Sequence, residues 1–319
     1  MGAVPEVSVA IPTSGRWRLL RRTLESALSQ RHVSIEVVVA DDGSSDDTYP
    51  QLRALGDRRV RVIRSDQRRG VAAARNAALG EVSGAWVAFL DDDDLWAPEK
   101  LERQIEAADE TNALFAYTAA AYVDHELKLV QVVPAPDPND LPAALLPTNR
   151  VPAGASNVIA RTDVVRRLGG FDVRLHQIAD WDLWIRLAET SRGAAWNQPL
   201  VAYRMHGANM VLGRKRGLFQ EIDHLFVKHA DLQAREGVAI DRALYTRWIA
   251  WARRRQGRRF AACRMYLEGA ARYRSPGNLP RAFGALLGDR AFELATAGRQ
   301  ERIEAVPASD LQWLRRFTH

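Results

Sequence analysis

Apolar positions in the first hundred residues follow two rhythms. Short strand-like runs, the apolar VSVAIP (7–12), IEVVVADD (35–42) and WVAFL (86–90) and the more polar VRVIRS (60–65), alternate with stretches whose apolar residues return every three or four positions. The runs predict short strands, and 35–42 is continuous enough to be buried on both faces. After the first run, Trp17, Leu20, Leu24, Ala27 and Leu28 share a helical face, with Ser14 placed to cap it. DTYPQLRALG predicts a helix closed by Gly56, GVAAARNAALG an Ala-rich helix between glycines, and Pro98 the start of another helix. Strands separated by helices of this length predict an α/β fold with a doubly wound, mostly parallel sheet.

Further along the pattern changes. Residues 114–133 read as strands about a polar turn near Asp124, and PAPDPNDLPAALLP (134–147) as a loop or lid. RTDVVRRLGGFD (161–172) predicts a helix ended by a Gly-Gly turn, and DWDLWIRLAE (180–189) a helix with Trp181, Trp184 and Ile185 on its packing face. AAWNQPLVAYRMHG (194–207) predicts a final strand with a polar end. Beyond Gly213 the pattern is helical with Arg-rich faces, broken near SPGNLP (275–280), and no second copy recurs at a fixed period. The expected division is 1–100, 101–212 and a helical extension, 213–319.

Composition narrows the class. The 319 residues are 47% hydrophobic and 26% charged, as in an ordinary globular chain. The single cysteine, Cys263, excludes an internal disulfide and fits a reducing compartment. No uncharged apolar run approaches the ~18 residues of a membrane span, and the N-terminal stretch lacks the basic and apolar segments of a secretory signal. A cytoplasmic location is therefore expected. The net charge of +6 is uneven, because 21 Lys+Arg and only 11 Asp+Glu lie from Gly213 onward. Such a basic region could meet anionic lipid, nucleic acid or an acidic acceptor, or form a solvated helical face.

The candidate chemistry sits at strand ends. Thr13-Ser14, Asp41-Asp42-Gly43-Ser44 and Asp91-Asp92-Asp93-Asp94 each follow a predicted strand, and in doubly wound sheets ligands bind beyond the carboxyl ends. Four adjacent carboxylates repel one another, so the run at 91–94 calls for either a solvated turn or a cation. No G-x-G-x-x-G, phosphate-loop, H-E-x-x-H or Cys-x-x-Cys motif is present.

The series VSVAIPTSGR, VVVADDGSSDDT, GVAAARNAAL, AFLDDDDLWAPEKL, GGFD, DWDLWIRL and YRMHG, in that order, resembles family 2 glycosyltransferases of the GT-A fold over about residues 7–207. The resemblance implies an inverting transfer of a sugar from a nucleotide diphosphate to an acceptor. It implies that residues 1–100 hold the nucleotide-sugar and 101–212 the acceptor. By the family pattern Pro12 and Thr13 line the base pocket, Asp42 accepts N3–H of uracil and so favours a UDP-sugar, and Arg75 lies near the base or phosphates. Asp91 and Asp92 reach the ribose or ordered waters, Asp93 binds Mn²⁺ or Mg²⁺, and His206 reaches the metal or diphosphate. Asp180 takes the position of the catalytic base, with Ala179 where the family commonly has Glu and Asp182 as a competitor for the role. Acceptor contacts are expected from 134–160 and 170–185, including the rings of Phe171 and Trp181.

The acceptor stays unidentified: a glycan, a lipid-linked sugar or a small molecule. Peripheral contact with the inner membrane face through the basic region is one expectation, and nucleic acid is not an expected partner. Two rivals remain. A nucleotidyltransferase would need more glycine after the first strand than PTSGRWR offers. A non-catalytic nucleotide-sugar-binding or scaffold protein would keep the uridine pocket and lose the base or metal ligand.

Overall fold

The computed structural model describes residues 4–205, 217–288, 292 and 308–317. The chain divides into two compact units: Met1–Leu145 with Arg150–Met205 and Ala305–His319, and Leu146–Asn149 with His206–Glu304.

In the first unit the strands β1 (Val7–Thr13), β2 (Ile35–Asp42), β3 (Val60–Ser65) and β4 (Trp86–Phe89) alternate with α1 (Trp17–Leu28), α2 (Thr48–Ala54) and α3 (Val71–Glu81). Every residue of β1 and β4 is buried, which explains why these strands read as unbroken apolar runs. β1 pairs in parallel with β2 and with β4, and β2 with β3. The remainder adds β5 (Leu95–Trp96), α4 (Lys100–Thr111), β6 (Phe115–Val123), β7 (Leu129–Val133), α5 (Leu141–Leu145), β8 (Ile159–Arg161), α6 (Thr162–Arg167), α7 (Ala179–Thr190) and β9 (Ala194–Arg204). A 3-10 turn, Gly154–Asn157, precedes β8. The sheet runs β3-β2-β1-β4-β8-β6-β9-β5, with β7 beside β6; β8 is antiparallel to both β4 and β6, whereas β9 runs parallel to β6. A late 3-10 segment, Ala308–Phe317, packs Leu314 and Phe317 against Leu95, Ala121, Val123, Leu127 and Ala202.

Three local expectations shift. Arg16, not Ser14, stands at the N-cap of α1, because the Ser14 hydroxyl donates instead to the Asp42 carbonyl at 3.1 Å. The helix after Pro98 opens at Lys100 with Glu99 as its cap, and the stretch 134–147 contains α5.

Behind the sheet lies a buried polar network. The fully buried Lys100 ammonium donates to Gln104 Oε1 at 2.6 Å and sits 4.1 Å from the Trp96 ring centroid, where burial pushes its pKa well down. Gln104 donates to the carbonyls of Ala116 and Asn157. The Asn157 side chain accepts from Thr118 N–H at 2.7 Å and donates to Thr118 O at 2.7 Å. This network fixes the 3-10 turn to β6 and sets its position against the strand ends.

The second unit is helical: α8 (Leu218–Lys228), α9 (Ala230–Glu236), α10 (Arg242–Arg255), α11 (Arg259–Arg272) and α12 (Asn278–Leu287). Asp241 caps α10, its carboxylate accepting from Ala243 and Leu244 N–H. Helices α10, α11 and α12 pack in sequence, and a Cβ on Gly269 of α11 would stand 3.0 Å from Thr246 Oγ1 and 3.1 Å from Asn278 Nδ2.

Candidate active site

Register brings the polar strand ends together. Ala10 is level with Phe89, so the chain beyond β4 runs beside the end of β1, and Thr13 Oγ1 donates to Asp92 Oδ2 at 2.7 Å. On the other side Thr13 is level with Asp41 of β2. Pro12 and Thr13 are both buried at this rim.

The acidic run divides into distinct roles. Asp94 is fully buried and faces inward, accepting from Ser156 Oγ at 2.5 Å and from Arg204 N–H at 3.0 Å. Burial and the neighbouring Asp93 and Asp91 raise its pKa well above the carboxylate range. Asp91 is partly exposed and accepts from Arg75 Nη2 at 2.5 Å. Asp92 and Asp93 point toward one cation, the guanidinium of Arg16, whose Nη1 lies 3.1 Å from Asp92 Oδ1 and 2.8 Å from Asp93 Oδ2. Burial, then repulsion from Asp93, raises Asp92 to about 7, against the pull of Arg16 and Thr13. Burial opposes the charge on Arg16, but Asp92, Asp93 and Asp91 outweigh it and hold the guanidinium above its ordinary pKa.

Asp180 lies in the first turn of α7, near enough to Arg75 and Asp91 for their charges to act on it. Its carboxylate lies over the 3-10 turn so closely that a Cβ on Gly154 would stand 2.7 Å from Oδ2. Gly154 has φ +52°, a conformation glycine adopts at no steric cost. Burial raises Asp180 to about 6, and the charge of Arg75 works in the opposite direction. Arg75 itself is buried, with its guanidinium carbon 5.1 Å from the Phe171 ring centroid. Asn76 holds that ring in place by exchanging two 2.8 Å hydrogen bonds with the Phe171 backbone. Asp182 is turned away from the rim and paired with Arg186 at 2.6 Å.

Asp42 lies at the end of β2, where its two carboxylate oxygens accept from Arg69 N–H at 2.7 Å and Gly70 N–H at 2.8 Å. It lines a cavity of about 500 Å³ with Asp41, Ile63, Arg64, Ser65 and Asp66. Asp41 accepts both the amide and the hydroxyl of Ser44 at Oδ1, while its buried Oδ2 has no hydrogen-bond partner and lies 3.7 Å from Arg64 Nε.

The structure thus brings Thr13, Asp91, Asp92, Asp93, Arg75 and Asp180 to one rim and puts Asp42 in the neighbouring cavity. His206 lies outside the described residues. The rings expected to meet an acceptor do not reach the surface. Trp181 is fully buried, its indole donating to Leu145 O at 2.7 Å, and Phe171 packs edge-on against Phe89 at 4.8 Å. Sequence reasoning missed Arg16, Gly154 and Ser156. Arg16 does stand three residues beyond the polar end of β1, and GAS at 154–156 is a run of small residues.

Buried carboxylates converging on a cation fit a hard divalent ion, which prefers oxygen ligands. Among the described residues no group of three or more His, Cys, Asp and Glu forms a ready-made cage. A Mg²⁺-type site commonly needs only one or two carboxylates and takes its other ligands from water and substrate phosphates.

The succinoglycan biosynthesis protein ExoO of Rhizobium meliloti (strain 1021) is 43% identical over 113 residues, which are 35% of this chain and 32% of that protein. The chain therefore spans about a third of that relative's length. A UDP-Glc:alpha-D-GlcNAc-diphosphoundecaprenol beta-1,3-glucosyltransferase, WfaP of Escherichia coli, is 29% identical over 220 residues, covering 67% of this chain and 83% of the relative. The fold is of the GT-A type, like that of Staphylococcus aureus TarS 1–349 in complex with UDP-GlcNAc (TM-score 0.62, 17% identity, 92% of this chain and 83% of that one). The model of the family described as Glycosyl transferase family 2 matches residues 8–169, half the chain and all of the strand-end rim except Asp180, and the chain belongs to that family.

Proposed function

We propose that the chain is an inverting glycosyltransferase that uses a UDP-sugar, a divalent cation and Asp180 as general base. The observation that carries this reading is the shared rim, where Asp92 and Asp93 converge on one positive charge while Arg75, paired with Asp91, also acts with Asp91 on the charge of Asp180. The donor class is further supported by the UDP-glucose named for WfaP and the UDP-GlcNAc bound to TarS.

Asp93, with Asp92 beside it, would hold Mn²⁺ or Mg²⁺, and the ion would supply positive charge to the diphosphate as it leaves. Thr13 holds Asp92 in position by its hydrogen bond, and Arg75 brings a buried positive charge to Asp91 at the same rim. Uracil fits the neighbouring cavity, with Asp42 accepting N3–H through a lone pair that the backbone of Arg69 and Gly70 leaves unused.

The acceptor hydroxyl attacks the anomeric carbon from the face opposite the nucleotide. Its C–O bond forms as the bond from the anomeric carbon to the diphosphate oxygen breaks, and that oxygen keeps the electron pair. The hydroxyl proton passes to Asp180. A pKa raised to about 6 leaves that carboxylate ionised at neutral pH yet more basic than an ordinary aspartate. The acceptor remains open among glycans, lipid-linked sugars and small molecules, and the name of WfaP favours the lipid-linked class.

The decisive experiment is calorimetry of UDP, GDP and CDP with Mn²⁺ or with EDTA. Tight binding of UDP alone, abolished by EDTA, is expected. Equal binding of all three nucleotides removes the role given to Asp42, and unchanged binding in EDTA removes the cation. A non-catalytic sensor would bind UDP in the same way, so sugar release from a UDP-sugar must also be followed, and its complete absence favours the sensor.

A further inference from the structure

Helix α12 is turned inside out for a protein in water. Its buried positions are small or polar, Asn278, Ala282, Gly284 and Ala285, whereas its large apolar residues face outward. Leu279, Phe283, Leu286 and Leu287 fall at i, i+4, i+7 and i+8, one side of a helix, and are 44%, 63%, 38% and 77% exposed. On the adjoining α11, Phe260 and Leu267 recur at i and i+7 and are 84% and 42% exposed, with exposed Arg264 between them on the same face. Surface helices ordinarily bury such a stripe, and an apolar stripe left in water marks an interaction surface.

Charge selects the occupant. Residues 242–288, spanning α10 to α12, hold 11 arginines and one acidic residue, Glu268. Glu268 is already paired with Arg264 at 3.2 Å. Arg255 at the end of α10, Arg259, Arg264 and Arg272 on α11 and Arg274 just after it are exposed, Arg272 beside Asp223 of α8. Large apolar side chains flanked by arginines are the composition of helices that lie in a membrane interface, where the rings enter the acyl boundary and the guanidinium groups meet anionic headgroups. A second copy of this chain would bring the same positive charge to the contact and repel it. We propose that the α11–α12 face docks on an anionic lipid bilayer, lying in the interface without crossing it. Among the described residues no helix is long and apolar enough to cross a membrane.

The test is co-sedimentation of the full chain with vesicles of equimolar phosphatidylglycerol and phosphatidylcholine, and with phosphatidylcholine alone. Binding to the anionic vesicles only is expected, and it should weaken as salt shortens the Debye length from about 10 Å toward about 3 Å. Phe283→Ser/Leu287→Ser should lose roughly tenfold or more in apparent lipid affinity, since two large apolar groups no longer leave water. Arg259→Gln/Arg264→Gln should weaken binding to a similar degree and flatten its salt dependence. Circular dichroism and thermal melts report whether each variant is folded, and their outcome is independent of the lipid result. Absence of sedimentation with either vesicle overturns the proposal, as does sedimentation that both double variants leave unchanged. A dimer in sedimentation equilibrium that Phe283→Ser/Leu287→Ser dissociates, with no lipid binding, assigns the face to a second copy instead.

Discussion

The guanidinium of Arg16 sits on the carboxylate of Asp93, Nη1 to Oδ2 at 2.8 Å, and the same nitrogen is 3.1 Å from Asp92 Oδ1. One side chain from the start of α1 therefore neutralises the rim that the cation would occupy. Without either positive charge, two buried carboxylates face each other. Arg16→Met should cost about 1–3 kcal/mol of stability in EDTA, less than a fully buried pair because Arg16 is 28% exposed. Mn²⁺ should restore more stability to the variant than it adds to the wild type. Thermal melts of both proteins with and without Mn²⁺ measure this, and an equal Mn²⁺ effect on the two would separate Arg16 from the metal site.

Protons and the cation should compete for the same rim. Asp92 is raised to about 7 by burial and by Asp93, so near pH 6 it holds a proton that a divalent ion must displace. The apparent Mn²⁺ affinity is expected to rise as pH increases through about 7 and to level off above it. Calorimetric titration at pH values on both sides of 7 checks the direction, and an affinity independent of pH would place the cation away from Asp92.

Asp180 carries opposite consequences for activity and stability. A general base must be ionised, so kcat/KM should fall about tenfold per pH unit below about 6 and stay flat above 7. The folded-state pKa lies above the ordinary 3.8, so ionisation of this group disfavours the fold above about pH 6. Asp180→Asn should lower turnover by about 10²–10⁴-fold. At neutral pH it should melt no lower than the wild type and bind UDP equally well. Turnover that survives the substitution would transfer the base to another group.

Much of this rim could be read from residue order. Unbroken apolar runs ending in Thr13, Asp42 and Asp91 announce parallel strands with polar carboxyl ends, and the fold places those ends side by side. Arg16 gave no such signal. Its partners lie 76 and 77 residues away, and a single arginine after a strand reads as an ordinary surface charge. Trp181 and Phe171 failed for a different reason. An aromatic ring that stacks on a sugar and one that fills a core have the same sequence pattern, and only burial separates them. The charge pattern of 242–288 was visible, but the outward turn of Phe283 and Leu287 depends on α12 packing through its small residues.

Gly154 should act on turnover through position alone. A methyl group there meets Asp180 Oδ2 at 2.7 Å, and φ +52° strains any side chain. Gly154→Ala is expected to destabilise by about 1–2 kcal/mol and to lower kcat by about 10–100-fold, leaving the KM for donor close to that of the wild type. A donor KM that rises in step with the fall in kcat would mean that the turn shapes the nucleotide pocket, not the base.

Asn157 ties the same turn to the sheet from behind. Its fully buried amide satisfies both Thr118 N–H and Thr118 O, and Gln104 reaches its carbonyl at 2.7 Å. Asn157→Leu keeps the volume but takes a hydrogen bond from three buried backbone groups, Thr118 N–H, Thr118 O and Pro152 O, a loss of about 2–4 kcal/mol. Ser156, one residue earlier, holds Asp94 and accepts from Asp91 N–H at 3.0 Å, so movement of the turn reaches the acidic rim as well as Asp180. The variant should therefore lose both Mn²⁺ affinity and kcat, whereas Gly154→Ala loses kcat alone. Denaturant melts, Mn²⁺ calorimetry and donor turnover on the two variants resolve the contrast. Equal Mn²⁺ affinity in both would show that the turn does not govern the rim.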